Sequence, residues 1–517
     1  MKNPITRYSF LLILLGTAVM ITAQCLSNYR ISVTSNHDVE MNKLKLNGIT
    51  FSNTTVISDG YNGTYWNNDL SEYPKIAADS NNKIHVVWED STNGVWGPDM
   101  EIMYVSYTPG TGWSQVEVIS DGYNGIYWNI AQSSNPAIAV DSQDIVHVVY
   151  EDFNRGVWGS KSEIMHVSYT PNIGWSNITV VSDGYGGIYW NNGFNLDPDI
   201  AIDSEDNIHV VWSSDAEGIW GTDVEIMYAK YTQNIGWSNV TVLSDGNNGI
   251  YWNDGISESP NIAVDNNEVH VVWQDSSDGF WGTDKEIMYI KYTPSSGWSG
   301  FSIISEGYAS NLHNYWNDGD SNEPAIACFN GEVHIVWEDD TNGVWGDDFE
   351  IMYVKYDSIS GWSGISVISD GFEGSYWNDA PSFNPEIVID HSGNVHVVWQ
   401  DYTDGIWDSG GSDNEIMYVN YSITNGWTNI SVISDGYGGI YWNDGININP
   451  DLCLGADNIY VVWQDSTKGI WGTDFEIMFT CLDISPLTTH AIPIGFFFLI
   501  ELIIVTLGII FYIQRKR

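Results

Sequence analysis

A segment of about 62 residues recurs seven times in this chain, and that period constrains the fold more than any other feature. The copies begin at Asp59, Asp121, Asp183, Asp245, Glu306, Asp370 and Asp435 and fill nearly everything between Asn53 and Asp483. The copy from Asp245 to Ser305 carries four runs rich in Val, Ile, Tyr and Trp: Asn261–Asp265, Val269–Trp273, Glu286–Tyr292 and Phe301–Ser305. Gly, Asn, Asp, Ser and Pro fill the gaps, so each run reads as a short β-strand bounded by turns. The turn between the first two runs is a tight Asn-Asn pair, and Thr293–Ser299 makes a longer one. Four antiparallel strands per unit, repeated seven times, predict an all-β chain folded as a seven-bladed β-propeller of four-stranded blades.

The two ends of the repeat region fit the same count. The last copy has three strands and stops near Ile484, whereas Phe51–Ser58 (FSNTTVIS) matches the fourth-strand segment Trp175–Ser182 (WSNITVVS). An open blade would leave a bare strand edge. The N-terminal strand at residues 51–58 is therefore expected to close the last blade.

All 26 tryptophans fall at four repeat positions, exemplified by Trp252, Trp273, Trp281 and Trp298. Large rings at fixed positions bury roughly 150–250 Å² each, so most of them are read as packing within and between blades.

Outside the repeats the chain divides into expected segments. Residues 1–23 have Lys2 and Arg7 before an apolar run and read as a secretory signal peptide. Residues 24–48 are an irregular lead-in, 49–484 the propeller and 485–490 a linker. Residues 491–513 are mostly apolar, long enough for a transmembrane helix, which needs about 20 residues. The basic tail 514–517 belongs on the cytoplasmic side and places the propeller outside the cell. Glu501 lies near the middle of the span, where an ionisable group is costly.

The formal net charge is −50, with only 17 basic residues. Such a surface repels nucleic acid and anionic membranes and favours divalent cations or basic partners; solubility or adaptation to a salty medium accounts for it equally well. The four cysteines form no disulfide framework. Cys453 and Cys481 sit on the first and third strands of one blade, about 9–10 Å apart and beyond disulfide reach. Six Asn-x-Ser/Thr sequons occur, at Asn53, Asn62, Asn177, Asn239, Asn420 and Asn429. All six are expected glycosylation sites, and four of them, Asn53, Asn177, Asn239 and Asn429, share one repeat position at the outermost strand, around the rim.

The wording of the repeat, PxIAVDxxxxHVVW followed by EIMYVxY and GWS, resembles the sialidase-like superfamily of β-propellers. That superfamily carries an Asp-box turn, Ser-x-Asp-x-Gly-x-Thr-Trp, between third and fourth strands. Here Ser106–Trp113 reads SYTPGTGW, with Thr108 at the Asp position and Gly112 at the Thr position; only the fifth copy keeps an Asp, at Asp357. The resemblance implies the fold. Its catalysis does not carry over, because sialidases grip a carboxylate with three arginines, and only Arg30 and Arg155 lie between the signal and the span.

In a four-stranded blade, the loop joining strands two and three and the loop crossing to the next blade emerge on one face. Both long loops of this repeat are of that kind, so this face is where ligands are expected. Candidate ligand-binding aromatics there are Trp66, Trp128, Trp190, Trp252, Trp316, Trp377 and Trp442 of the crossing loops, with Trp96 and Trp281 of the others. The acids of these loops admit three readings. They serve turn chemistry; they form a calcium site from Asp245, Asp254, Asp284 and Glu286 with loop carbonyls; or they accept hydrogen bonds from sugar hydroxyls beside aromatic platforms. One histidine per blade (His85, His147, His209, His270, His334 and His396, with Tyr460 as the seventh counterpart) is expected to make structural hydrogen bonds, since neighbouring copies are too far apart to share an ion.

A single active centre must break the sevenfold symmetry. The irregular positions Arg155, Lys161, His166, His313 and the insertion 408–413 form no nucleophile–base pair, so no catalytic residue is nominated. The expected function is a membrane-anchored cell-surface module that binds glycan or protein ligands, assisted by calcium. The alternatives are a membrane-anchored glycoside-acting enzyme other than a sialidase, and a structural surface-coat protein.

Overall fold

Seven antiparallel sheets make up the propeller, one per repeat. The computed structural model describes residues 50–51, 54–58, 67, 69–93, 98–121, 131–153, 161–182, 193–216, 222–245, 255–277, 283–306, 319–343, 346–370, 378, 380–403, 414–434, 445–467 and 473–484. These fall almost wholly within one compact unit, Phe51–Ser485. The expected signal peptide, lead-in, linker, membrane span and tail lie outside the described residues. Among the described residues no helix is long and apolar enough to cross a membrane.

Blade four shows the common plan. Its strands are Ser257–Asp265, Glu268–Asp275 and Glu286–Thr293, followed by an outer strand in two pieces, Gly297–Trp298 and Ser302–Ile303. Both pieces pair with the third strand, Trp298 opposite Tyr292 and Ile303 opposite Met288. The outer strand is broken because Ser299 turns its hydroxyl back to the sheet: its N–H donates to the Lys291 carbonyl (2.7 Å) and its Oγ accepts from the Lys291 N–H (3.1 Å). The Thr293–Ser299 turn is thus shorter than expected, since Gly297, at φ +76°, already re-enters the ladder.

Second strands are apolar on both faces and buried from end to end, as in Ile84–Asp90. Six of them carry a tryptophan (88, 212, 273, 337, 399 and 463) at no more than 1% exposure. The indole N–H finds a fixed acceptor, such as Asp275 Oδ2 at 3.0 Å from Trp273. In blade three, where Ser214 takes the place of that aspartate, Trp212 donates instead to Asn195 Oδ1 at 2.9 Å. The cores form between neighbouring blades: Val211, Ile226, Tyr228 and Leu243 of blade three pack on Ile262, Val271, Trp273 and Met288 of blade four.

The outer-strand tryptophans join blades as well. Trp298 meets Tyr228 of the preceding blade edge-on at 5.0 Å, and Trp362, Trp427 and Trp175 repeat the contact with Tyr289, Tyr353 and Tyr104. Such edge-to-face pairs add about 0.5–1.5 kcal/mol beyond the area they bury.

First strands line the axis. Each packs against the first strands of its two neighbours, including Ser71–Ala78 of blade one against Asn447–Leu454 of blade seven. Residues 55–58 run along the third strand of blade seven, with Thr55 opposite Phe479 and Val56 opposite Met478. In the same blade Cys453 and Cys481 lie opposite Tyr460 on its two sides, which keeps the thiols two strand spacings apart.

The repeated histidines are structural. His270 Nδ1 lies 2.7 Å from the Tyr289 hydroxyl, and His85, His209, His334 and His396 make the same cross-strand bond. Blade two replaces the tyrosine with His166, whose Nε2 is 3.1 Å from His147 Nδ1.

Candidate functional site: the axial channel

Every first strand contains one proline three residues after its start: Pro74, Pro136, Pro198, Pro260, Pro324, Pro385 and Pro450. The strand absorbs it through a bulge, for example between Glu258 and Asn261, where the register to the second strand shifts. The residue before each proline takes a left-handed backbone with φ between 44° and 52°. None of the seven is glycine, and proline itself disfavours helical conformations in its predecessor. Non-glycine residues held in such regions cost of order 1–3 kcal/mol each and persist only where surroundings over-determine them.

The surroundings that do so are visible. The N–H of the strained residue donates to a second-strand side chain of the preceding blade: Asn135 to Glu89 Oε2 (2.9 Å), Asp197 to Glu151 Oε1 (2.7 Å), and Glu323 to Gln274 Oε1 (2.9 Å). Asn384, Asn449 and Tyr73 repeat the bond to Glu338, Gln400 and Gln464 at 2.9–3.0 Å. In blade three the corresponding side chain is Ser213, too short to reach, and its hydroxyl donates to the Leu196 carbonyl at 3.1 Å.

The seven bulges surround a cavity of about 550 Å³, within the ~300–1,000 Å³ typical of small-molecule sites. Here the sevenfold symmetry fails. The residues before proline are Tyr73, Asn135, Asp197, Ser259, Glu323, Asn384 and Asn449, and Lys75, Asp199, Asn261 and Glu386 follow their prolines. Five lining acids (Asp197, Asp199, Glu258, Glu323 and Glu386) share the cavity with one base, Lys75, on which Asp451, beside Pro450, also acts. Lys75 Nζ lies 2.5 Å from Glu386 Oε1, bridging blades one and six, with about a third of its side chain open to water. Burial alone would lower its pKa, but the Glu386 and Asp451 carboxylates outweigh that and hold it above the usual lysine range.

Crowding and burial push the acids the other way. Burial, with Glu151 and Glu323 nearby, raises Asp197 to about 7; burial raises Asp199 to about 6, and Asp451 to about 7 despite Lys75. Side-chain bonds tie the acids and amides of neighbouring blades: Asn135 Nδ2 donates to Asp197 Oδ1 (3.3 Å), Ser259 Oγ to Glu323 Oε1 (3.0 Å), and Asn384 Nδ2 to Asn449 Oδ1 (2.6 Å). The arrangement is a polar cup rich in acceptors and walled by proline rings. No arginine occurs among the described residues.

Sequence reasoning did not nominate these residues, although a signal was available. The two positions flanking the proline differ from copy to copy, and they line the channel. All nine nominated tryptophans (66, 96, 128, 190, 252, 281, 316, 377 and 442) lie outside the described residues, as do Asp254, Asn53 and Asn62. Asn177, Asn239 and Asn429 are exposed in the break of their outer strands, whereas Asn420 is half-buried within a third strand, opposite His396. The proposed calcium set is divided between blades: Asp245 ends blade three beside Asp223, and Asp284 and Glu286 open the third strand of blade four beside Glu306. Among the described residues no three His, Cys, Asp or Glu side chains form a metal cage by themselves.

No family description matches the chain, and no curated protein matches it. Solved structures do. A PL25 ulvan lyase, a polysaccharide lyase bound to a GlcA(1-4)Rha3S saccharide, aligns with 81% of this chain and 95% of its own at 11% identity and a TM-score of 0.50. A second polysaccharide lyase aligns with 82% and 94% at 10% identity (TM-score 0.49), and the NanB sialidase of Streptococcus pneumoniae with 83% and 70% at 12% identity (TM-score 0.38). At these identities the likeness is one of fold, and the fold of this chain is a seven-bladed β-propeller.

Proposed function

We propose that this protein is a membrane-anchored cell-surface propeller, closed by its N-terminal strand, that binds a non-acidic glycan in its axial channel. The observation that carries the reading is the channel itself: five carboxylates and several amides line it with one lysine, at positions flanking the prolines where the copies diverge. Carboxylates and amide oxygens accept hydrogen bonds from sugar hydroxyls, and proline rings offer apolar faces to sugar C–H groups. The excess of negative charge repels uronates, sulfates and sialic acids and favours neutral or amino sugars. A saccharide-bound lyase of the same fold is in keeping with a saccharide as the ligand class. The signal peptide, the span at 491–513 and rim glycans at the exposed sequons complete the reading as a surface protein.

A glycan array probed with the full-length protein in detergent tests it. Retention of neutral or amino-sugar oligosaccharides without any change in their length is the expected result. Selective retention of anionic glycans, or shortening of a bound glycan, would overturn it.

A further inference from the structure

A second group of carboxylates lies away from the channel, where the long connections of each repeat begin and end. In blade four Glu286 opens the third strand at 0% exposure. Its Oε2 accepts a hydrogen bond from the Ser305 hydroxyl, while its Oε1 is buried with no hydrogen-bond partner. Asp284 Oδ2 and Glu306 Oε1 are buried in the same state, and the three carboxylates are near enough to repel one another. Blade three repeats the group with Glu225 at 0% exposure, its Oε1 and Asp223 Oδ2 both without partners, and Asp245 adjoining. Glu101 and Glu350 hold the same buried position in blades one and five, each again with an unpartnered Oε1.

Buried acceptors that lack donors cost free energy, and three carboxylates together cost more, because none can donate to another while ionised. One turn-forming aspartate per copy would not explain a fully buried glutamate with an orphaned oxygen. A cation would satisfy all three acids at once. The donor atoms are oxygen only, which selects a hard ion. Since the three side chains do not cage an ion unaided, carbonyls and water must share the shell. Ca²⁺ accepts such mixed shells of six to eight oxygens, whereas Mg²⁺ requires a tighter octahedron.

We propose that Asp284, Glu286 and Glu306 form a Ca²⁺ site, and that the corresponding acids of blades one, three and five form equivalent sites. Blade two is the exception that the sequence supplies: Lys161 stands where the six other copies have Asp99, Asp223, Asp284, Asp348, Asp413 and Asp474. Its ammonium lies over the Phe194 ring at 3.7 Å, and this blade is excluded from the set. The ions would hold the start of the third strand to the end of the outer strand, a role separate from ligand capture in the channel.

The test uses the full-length protein stripped with EDTA, then dialysed against CaCl₂ or MgCl₂ alone, with metal content and melting temperature as readouts. The proposal expects at least four and fewer than seven calcium ions per chain, a melting temperature raised by several degrees in calcium, and little response to magnesium. Glu286→Gln should lower the calcium content by about one ion. It should also raise the melting temperature in EDTA, by removing repulsion, and lower it in calcium. Should Glu286→Gln fail to fold, Glu306→Gln, at a partly exposed position, makes the same comparison. Fewer than one bound calcium per chain, or stabilisation by Glu286→Gln in calcium and EDTA alike, would overturn the proposal and indicate shared protons instead.

Discussion

Ser58 donates a hydrogen bond to the Glu476 carboxylate across 2.5 Å, although 418 residues separate them in sequence. The same hydroxyl accepts from the Ile477 N–H at 2.8 Å. In the six other blades a serine at this place makes both bonds to its own third strand, as Ser305 does to Glu286 and Ile287.

Replacing Ser58 with alanine should therefore cost as much as replacing Ser305. Each change leaves a buried N–H without its acceptor and takes a hydroxyl donor from a buried carboxylate, worth about 1–3 kcal/mol. Urea unfolding of the two variants checks this. A negligible loss for Ser58→Ala beside a clear loss for Ser305→Ala would mean that residues 51–58 do not hold blade seven.

The bonds that restrain the channel bulges predict an asymmetry between blades. Gln274→Ala removes the acceptor for the Glu323 N–H and should destabilise by about 1–3 kcal/mol. Ser213→Ala removes only a bond to a carbonyl that its own hydroxyl donates, and should cost about 1 kcal/mol or less. Chemical denaturation of both variants distinguishes them.

Blade two carries Tyr150 in place of the second-strand tryptophan, fully buried with its hydroxyl unpartnered. Tyr150→Phe should leave the packing intact and stabilise by about 1 kcal/mol, the penalty of an unsatisfied buried hydroxyl. A rise in denaturation midpoint is expected; a fall would show that the hydroxyl has a partner in solution.

Stability should fall as pH rises from about 5 to 8. Burial raises Asp197 and Asp451 to about 7, Glu89 to about 7 and Glu338 to about 8. Unfolded carboxyls titrate near about 4, so from there up to the raised values the folded state binds more protons, and stability is lost as pH rises through that window. Burial lowers His166 to about 3 and His270 to about 4, and holds His209 below its usual value. Unfolded histidines take up protons below about pH 6.5, which flattens the gain on acidification without reversing it, because the raised carboxyls outnumber the histidines. Melting temperatures measured in EDTA should fall steadily from about pH 5 to about pH 8; a maximum near neutral pH would contradict the raised carboxyls.

Much of this architecture was legible because the repeat aligns strands, turns and tryptophans in every copy. Two kinds of feature were not. A proline inside a strand reads as a boundary, so the first strand of blade four was expected to start at Asn261, whereas it starts at Ser257 and carries Pro260 in a bulge. That bulge sets the channel, so the channel residues were hidden with it. The second concerns the frame of the repeat. Each copy, read from its starting acid, runs across a blade boundary, so Asp245 was grouped with Asp284 and Glu286 but folds beside Asp223 and Glu225 of the preceding blade. The histidine assignments, and those of the second-strand and outer-strand tryptophans, needed no such frame, because each lies within a strand.

The account rests on the acidic channel as the ligand site, and one titration tests that most directly. The tightest neutral or amino-sugar oligosaccharide from the array is titrated calorimetrically into the full-length protein and into its Asp197→Asn, Glu258→Gln double variant. Two lost charge-assisted hydrogen bonds predict an affinity at least about tenfold weaker, with the melting temperature unchanged or raised. An affinity equal to that of the parent protein, in a variant that melts normally, would place the ligand elsewhere and contradict the account.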